Sequence, residues 1–179
     1  MVALNKVITL HIEEVLLLVE KAKEYYNQGT NGLEQALDIG LKIREILDKE
    51  GKILREEIDS YDDLDGGVYA FIYNCMVQLK RYDGMIPFLE KTLSYLDNSQ
   101  NPDLWRKLGL LYLSQKHDLK KACSAWKKAL DLNLKYLEFY PGLNIVNVYE
   151  GMKKANKKIS WKIEFVDLET GNFSVIFNK

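Results

Sequence analysis

Proline, cysteine and histidine are scarce in this 179-residue chain, and each shortage excludes something. The three prolines, Pro87, Pro102 and Pro141, leave long stretches free to be helical. The two cysteines, Cys75 and Cys123, suit neither a disulfide framework nor the spacing of a zinc site. His11 and His117 stand far apart, without a cysteine or carboxylate at metal-ligand spacing. Long apolar runs are missing too: the aliphatic run Val15 to Val19 is far too short to span a bilayer. His11, Glu13 and Glu14 interrupt the apolar start around Val7, so the N-terminal stretch does not read as a secretory leader. The glycine patterns of phosphate loops, nucleophile elbows and dinucleotide folds are absent. Asp62-Asp63-Leu64-Asp65-Gly66-Gly67 approaches a calcium loop, but Tyr61 and Ile72 occupy positions where that loop needs ligands. These absences lead us to expect a non-enzymatic, cytoplasmic protein with reduced thiols, no cofactor and no membrane span.

What is present is a globular balance, 47% hydrophobic and 28% charged, enough for one domain or three to four helical hairpins. The net charge of −1 conceals a polarity. Residues 1–101 carry 11 basic and 18 acidic side chains, residues 102–162 carry 13 and 5, and the last 17 carry 1 and 3. The acidic half peaks at Glu56-Glu57 with Asp59 and at Asp62-Asp63 with Asp65; the basic half peaks at Lys153-Lys154, Lys157-Lys158 and Lys162. Such asymmetry steers charged partners or aligns copies head to tail, and it is also what solvated helix faces of unplanned sign produce.

Apolar spacing predicts a first helix over about 9–28, with Leu10, Val15, Leu18, Ala22 and Tyr25 on one side, and a second from Leu33 to about Glu50. Lys52–Ile58 extends the second past Gly51, before an acidic surface loop over 59–67. Gly40 reads as a close-packing position rather than a flexible one, since an exposed mid-helix glycine costs about 1 kcal/mol against alanine. A second hairpin is predicted over 68–79 and 85–96, and a third over 104–114 and 119–132, with Asn101 or Asp103 capping and Pro102 in the first turn. Pro141-Gly142 splits the segment 134–158 into a short helix and a longer one. The period then changes to two: Trp161, Ile163 and Phe165 alternate with Lys162, Glu164 and Val166, and Phe173, Val175 and Phe177 follow the turn Glu169-Thr170-Gly171-Asn172. This predicts a β-hairpin whose aromatic face must be covered.

Trp105-x-x-Leu108-Gly109-x-x-Tyr112, followed by Ala122, Trp126 and Ala129, resembles a tetratricopeptide repeat. One residue is inserted in the turn, and Leu134 stands where that family has proline. The second hairpin (Tyr69, Ile72, Tyr73, Met76, then Met85, Leu89, Thr92) and the first (Leu18, Ala22, Tyr25, then Ala36, Ile43) fit more loosely, so the resemblance spans residues 15–134. It implies a mainly α architecture, an α-α superhelix of about three hairpins with a closing helix over 1–159, and the C-terminal β-hairpin over 160–179 packed on it. Gly109 and Ala22 would let paired helices approach closely. Trp105, Tyr112 and Trp126 would fill the space between hairpins as core rather than as a ligand pocket.

The resemblance also implies a function: another protein's peptide or helix held in a concave groove lined by the first helix of each hairpin. The groove positions fall on Val19, Lys23 and Tyr26, then Ala70, Asn74 and Val77, then Arg106, Leu110 and Leu113. The family's carboxylate clamp is not expected, since Lys23 lies one turn late and Leu110 replaces the needed arginine. Two other readings stay open. Lys116, Lys120, Lys121, Lys127, Lys128 and the 153–162 cluster could contact nucleic acid, although Trp126 is expected to be buried. The hairpin's free edges could instead pair two copies in a homodimer.

Overall fold

The computed structural model describes residues 2–58 and 60–178, with side chains from His11 onward apart from Leu96. The expected packing of Leu10 and the placement of Asp59 therefore lie outside the described residues. The fold is mainly α with a C-terminal antiparallel β-hairpin, and its helix packing is consistent with a helical-repeat architecture. Two compact units divide the chain, Met1–Thr92 and Leu93–Lys179.

In the first unit α1 (Val2–Tyr26) packs on α2 (Leu33–Glu57), and α2 on α3 (Tyr61–Gln78). A glycine-rich turn separates α1 from α2, with Gly29 at φ +65. Helix α2 runs straight through Gly51. A Cβ there would sit 2.5 Å from the Tyr61 hydroxyl, so this glycine serves contact with α3 rather than ending the helix. Gly40 does the same further along, where a Cβ would lie 3.1–3.2 Å from Ile72 and Phe71. The predicted acidic loop is instead the start of α3. Asp62 and Asp63 sit in its first turn, where carboxylates are stabilised by the unpaired N–H groups and the helix dipole. Asp65 is buried, with Lys91 Nζ 3.8 Å from its carboxylate, so this stretch is not a surface loop.

The predicted helix over 85–96 is two pieces, α4 (Ile86–Leu93) and α5 (Leu96–Ser99). The Thr92 hydroxyl donates to the Phe88 carbonyl one turn back, and Tyr95 is extended just beyond.

The second unit is built on the hairpin of α6 (Pro102–Lys116) and α7 (Leu119–Leu132). Asn101 caps α6, its side-chain oxygen accepting from the N–H groups of Asp103 and Leu104, with Pro102 as the first helical residue. His117 ends α6 in the left-handed region at φ 48, and Asp118 caps α7 by accepting from Lys121 N–H. Gly109 allows the hairpin to close. A Cβ at that position would fall 2.1 Å from Trp126 Nε1. The fully enclosed Trp126 indole donates to the Arg106 carbonyl (3.1 Å) and stacks on Phe173 at 4.4 Å.

After α8 (Tyr136–Phe139), a 3-10 turn at Pro141–Asn144 and α9 (Ile145–Lys154), the chain forms β1 (Trp161–Val166) and β2 (Phe173–Phe177). Their register pairs Trp161 with Phe177 and Ile163 with Val175, then skips Glu164, so that Phe165 opposes Ser174 and Val166 opposes Phe173. This bulge corrects the simple alternation expected from sequence. The extra residue turns Phe165 outward and brings Val166 to the inner face, beside Trp161 and Ile163.

Candidate functional site

The expected groove residues of the first unit lie on α1 and α3. Along α1, Ile12, Leu16, Val19, Lys23 and Tyr26 recur every three or four residues and share one face. Along α3 the corresponding stripe is Leu64, Gly67, Phe71, Asn74 and Gln78. The two helices run side by side in the same direction. Val19 and Lys23 lie opposite 63–68, and Tyr26 lies opposite Phe71 and Gln78.

Between them is an open cleft of about 270 Å³, lined by Val19, Ala22, Lys23, Ile43, Asp63, Leu64, Gly67, Val68 and Phe71. Its floor is apolar, and its ionisable side chains are Lys23 and Asp63, both exposed. Toward the C-terminal end of α1 the Tyr26 ring packs 5.4 Å from Phe71, and its hydroxyl accepts from the Gln78 amide. Beyond the other end, the apolar stripe of α1 continues into solvent through Leu16, which is 55% exposed.

The structure thus brings Val19 and Lys23 together in one cleft, while Tyr26, further along α1, packs on Phe71 outside its lining. Asn74 stands exposed one turn past Phe71, while Ala70 and Val77 are half-buried on the adjoining face of α3. Sequence reasoning missed Leu64, Gly67 and Phe71. The first two fall in the stretch that reads as an acidic loop, and only the start of α3 at Tyr61 puts them in register with Asn74. Gly67 is decisive for the shape, because nothing lies within 4 Å of a Cβ built there and the cleft stays open.

Arg106, Leu110 and Leu113 do not line an open surface, which corrects the expectation for the third hairpin: their exposures are 7%, 1% and 0%. Arg106 is held inside its own unit. Its guanidinium lies 4.1 Å over the Tyr140 ring, and its Nε and Nη2 donate to Asp103 Oδ1. Gly171, in the left-handed region at φ +76, lets the hairpin turn close over Nη1. Burial opposes ionisation of Asp103, but hydrogen bonds from Lys107 and Arg106 outweigh it and hold the carboxyl below the usual aspartate range. The ion pair lies within α6 and fixes the guanidinium, against which Tyr140, just past α8, and the hairpin turn at Gly171 then pack.

The basic residues behave differently. On α7, Lys120, Lys121, Lys127 and Lys128 are all exposed, with Lys127 paired to Asp131 and Lys121 over the Tyr112 ring. Trp126 faces inward as expected and offers these lysines no stacking surface. Both thiols are buried, which pushes Cys75 up to about 11 and Cys123 up to about 12. Among the described residues no three His, Cys, Asp or Glu side chains are grouped to hold a metal, and no helix is long and apolar enough to cross a membrane. No family model, curated protein or solved structure matches the chain.

Proposed function

We propose that this chain is a non-enzymatic protein-recognition module of tetratricopeptide-like type, a small cytoplasmic adaptor or regulatory subunit. Its ligand is a peptide or amphipathic helix of another protein, seated in the cleft between α1 and α3. The observation that carries this reading is the open trough beside two parallel helix stripes, apolar at its base and edged by Lys23 and Asp63. That chemistry suits apolar side chains at helical spacing flanked by one basic and one acidic group. The buried α6 residues take no part, so the binding surface is shorter than three hairpins would offer.

Panning a displayed library of amphipathic peptides against the full chain tests the proposal. Binding of the selected peptides should fall at least tenfold on Gly67→Leu, which fills the cleft from a position with free space around it, and should weaken on Lys23→Ala or Asn74→Ala. Peptides that bind all three variants as well as the parent chain would place recognition elsewhere and sink the reading.

The exposed lysines of α7 support a second reading, contact with nucleic-acid phosphates. Such binding would weaken steeply with salt and vanish when Lys153, Lys154, Lys157 and Lys158 are neutralised.

A further inference from the structure

The two edges of the β-hairpin are protected very unequally. Strand β1 carries the bulge at Glu164, displays two charges, Lys162 and Glu164, and lies against α6. These are the devices that discourage a strand from pairing with another chain. Strand β2, Phe-Ser-Val-Ile-Phe, has none of them: no charge, no proline, no bulge, and β1 as its one extensive neighbour among the described elements.

The phase of the hydrogen-bond ladder shows which groups this edge presents. Asn178 N–H donates to the Ser160 carbonyl (2.9 Å), and the Asn172 carbonyl accepts from Asp167 N–H (2.8 Å). Residues 172 and 178 therefore bond inward, as do Ser174 and Ile176 by alternation, which turns the N–H and C=O groups of Phe173, Val175 and Phe177 outward.

We propose that β2 pairs antiparallel with β2 of a second copy about a two-fold axis at Val175, making a four-stranded sheet. The ladder phase requires outward-facing residues to oppose one another, and among the axes that meet this Val175, the middle of the strand, is the one that keeps all five residues paired. Val175 then faces its own counterpart, Phe173 faces the second copy's Phe177, and Ser174 faces Ile176. Each outward pair exchanges both of its backbone hydrogen bonds. The aromatic cross-strand pairs match, no like charges meet, and the half-buried inner face of Ile163, Val166, Phe173 and Val175 continues across the axis. The segment is self-complementary, and this favours a second copy over a foreign strand. The inference concerns the second unit alone and is independent of the α1–α3 cleft.

Sedimentation equilibrium of the full chain over a wide concentration range should show a reversible monomer–dimer transition. Val175→Pro removes an outward N–H that the hairpin itself does not use, so it should leave the far-ultraviolet spectrum intact and give a monomer. Ile176→Lys, on the exposed face, should also weaken the dimer. Under oxidation Val175→Cys should crosslink two copies, because Cα atoms directly opposite across a hydrogen-bonded pair lie within disulfide reach, at about 5.5 Å. Ser174→Cys should not crosslink, since its counterpart is Ile176. A chain that stays monomeric at every concentration assigns the edge to another protein's strand or to none, and overturns the pairing. So would a dimer untouched by Val175→Pro and Ile176→Lys, or equal crosslinking at 174 and 175.

Discussion

Replacing Gly109 by alanine sets helix propensity against packing, and the structure decides the sign. Propensity alone favours alanine by about 1 kcal/mol in a helix interior. The added methyl, however, would lie 2.1 Å from Trp126 Nε1 and 2.4 Å from Cδ1, where ordinary contacts begin at 3.4 Å. Either the indole or helix α6 must retreat by roughly an ångström, and crowding of this kind in a packed core costs about 1–3 kcal/mol. The indole is fixed by its bond to the Arg106 carbonyl and its stack on Phe173, so moving it also forfeits a hydrogen bond worth about 1 kcal/mol. The net expectation is a loss of about 1–3 kcal/mol. Gly151→Ala in α9 is the control: nothing lies within 4 Å of a Cβ there, so propensity acts unopposed and stability should rise by about 0.5–1 kcal/mol. Urea unfolding followed by tryptophan emission reads both variants cleanly, because Trp105, Trp126 and Trp161 all lie in the Leu93–Lys179 unit. If Gly109→Ala raised the midpoint as Gly151→Ala does, the tight α6–α7 approach would be refuted.

Asp103 has a lowered folded pKa, so it stabilises the second unit above the unfolded aspartate value, and that contribution disappears as pH falls through the folded value. Asp103→Asn should therefore lower stability at neutral pH and converge with the parent chain in acid; parallel curves at all pH values would contradict the ion pair. With thiol pKa values raised to about 11 and about 12, neither cysteine should react with a disulfide reagent near neutrality until its own unit opens. Labelling at Cys75 and Cys123 in increasing denaturant then reports the two units separately, and fast labelling of the native chain would show that the burial is wrong. Gly171→Ala should loosen the hairpin turn, since its φ is left-handed and the new Cβ would strike Arg106 Nη1. The readout is faster amide exchange at Gly171 and Asp167, whose N–H groups donate to the carbonyls of Asp167 and Asn172 across the turn, and unchanged exchange there would deny the clamp.

Sequence alone determined the helix–helix–hairpin order and most of the core. Ala36, Leu37, Ile43 and Leu47 recur at the helical period, Trp126 stands one turn from Ala122 and Ala129, and period two returns after residue 160, and each is a local pattern that packing then obeys. The Asn101 cap and the close-packing roles of Gly40 and Gly109 were legible for the same reason, since each follows from a single residue's chemistry. Tertiary structure decided the rest. The acidic run around Asp62 reads as a loop until the dipole of α3 stabilises its carboxylates, and with it Gly67 moves from a turn into the wall of the cleft. Arg106 belongs in a groove by its position in the repeat, yet Tyr140 and Gly171, brought over it by the returning chain, enclose it. Spacing assigns a face to each helical side chain, but which of those faces stays open depends on distant segments that local pattern cannot see.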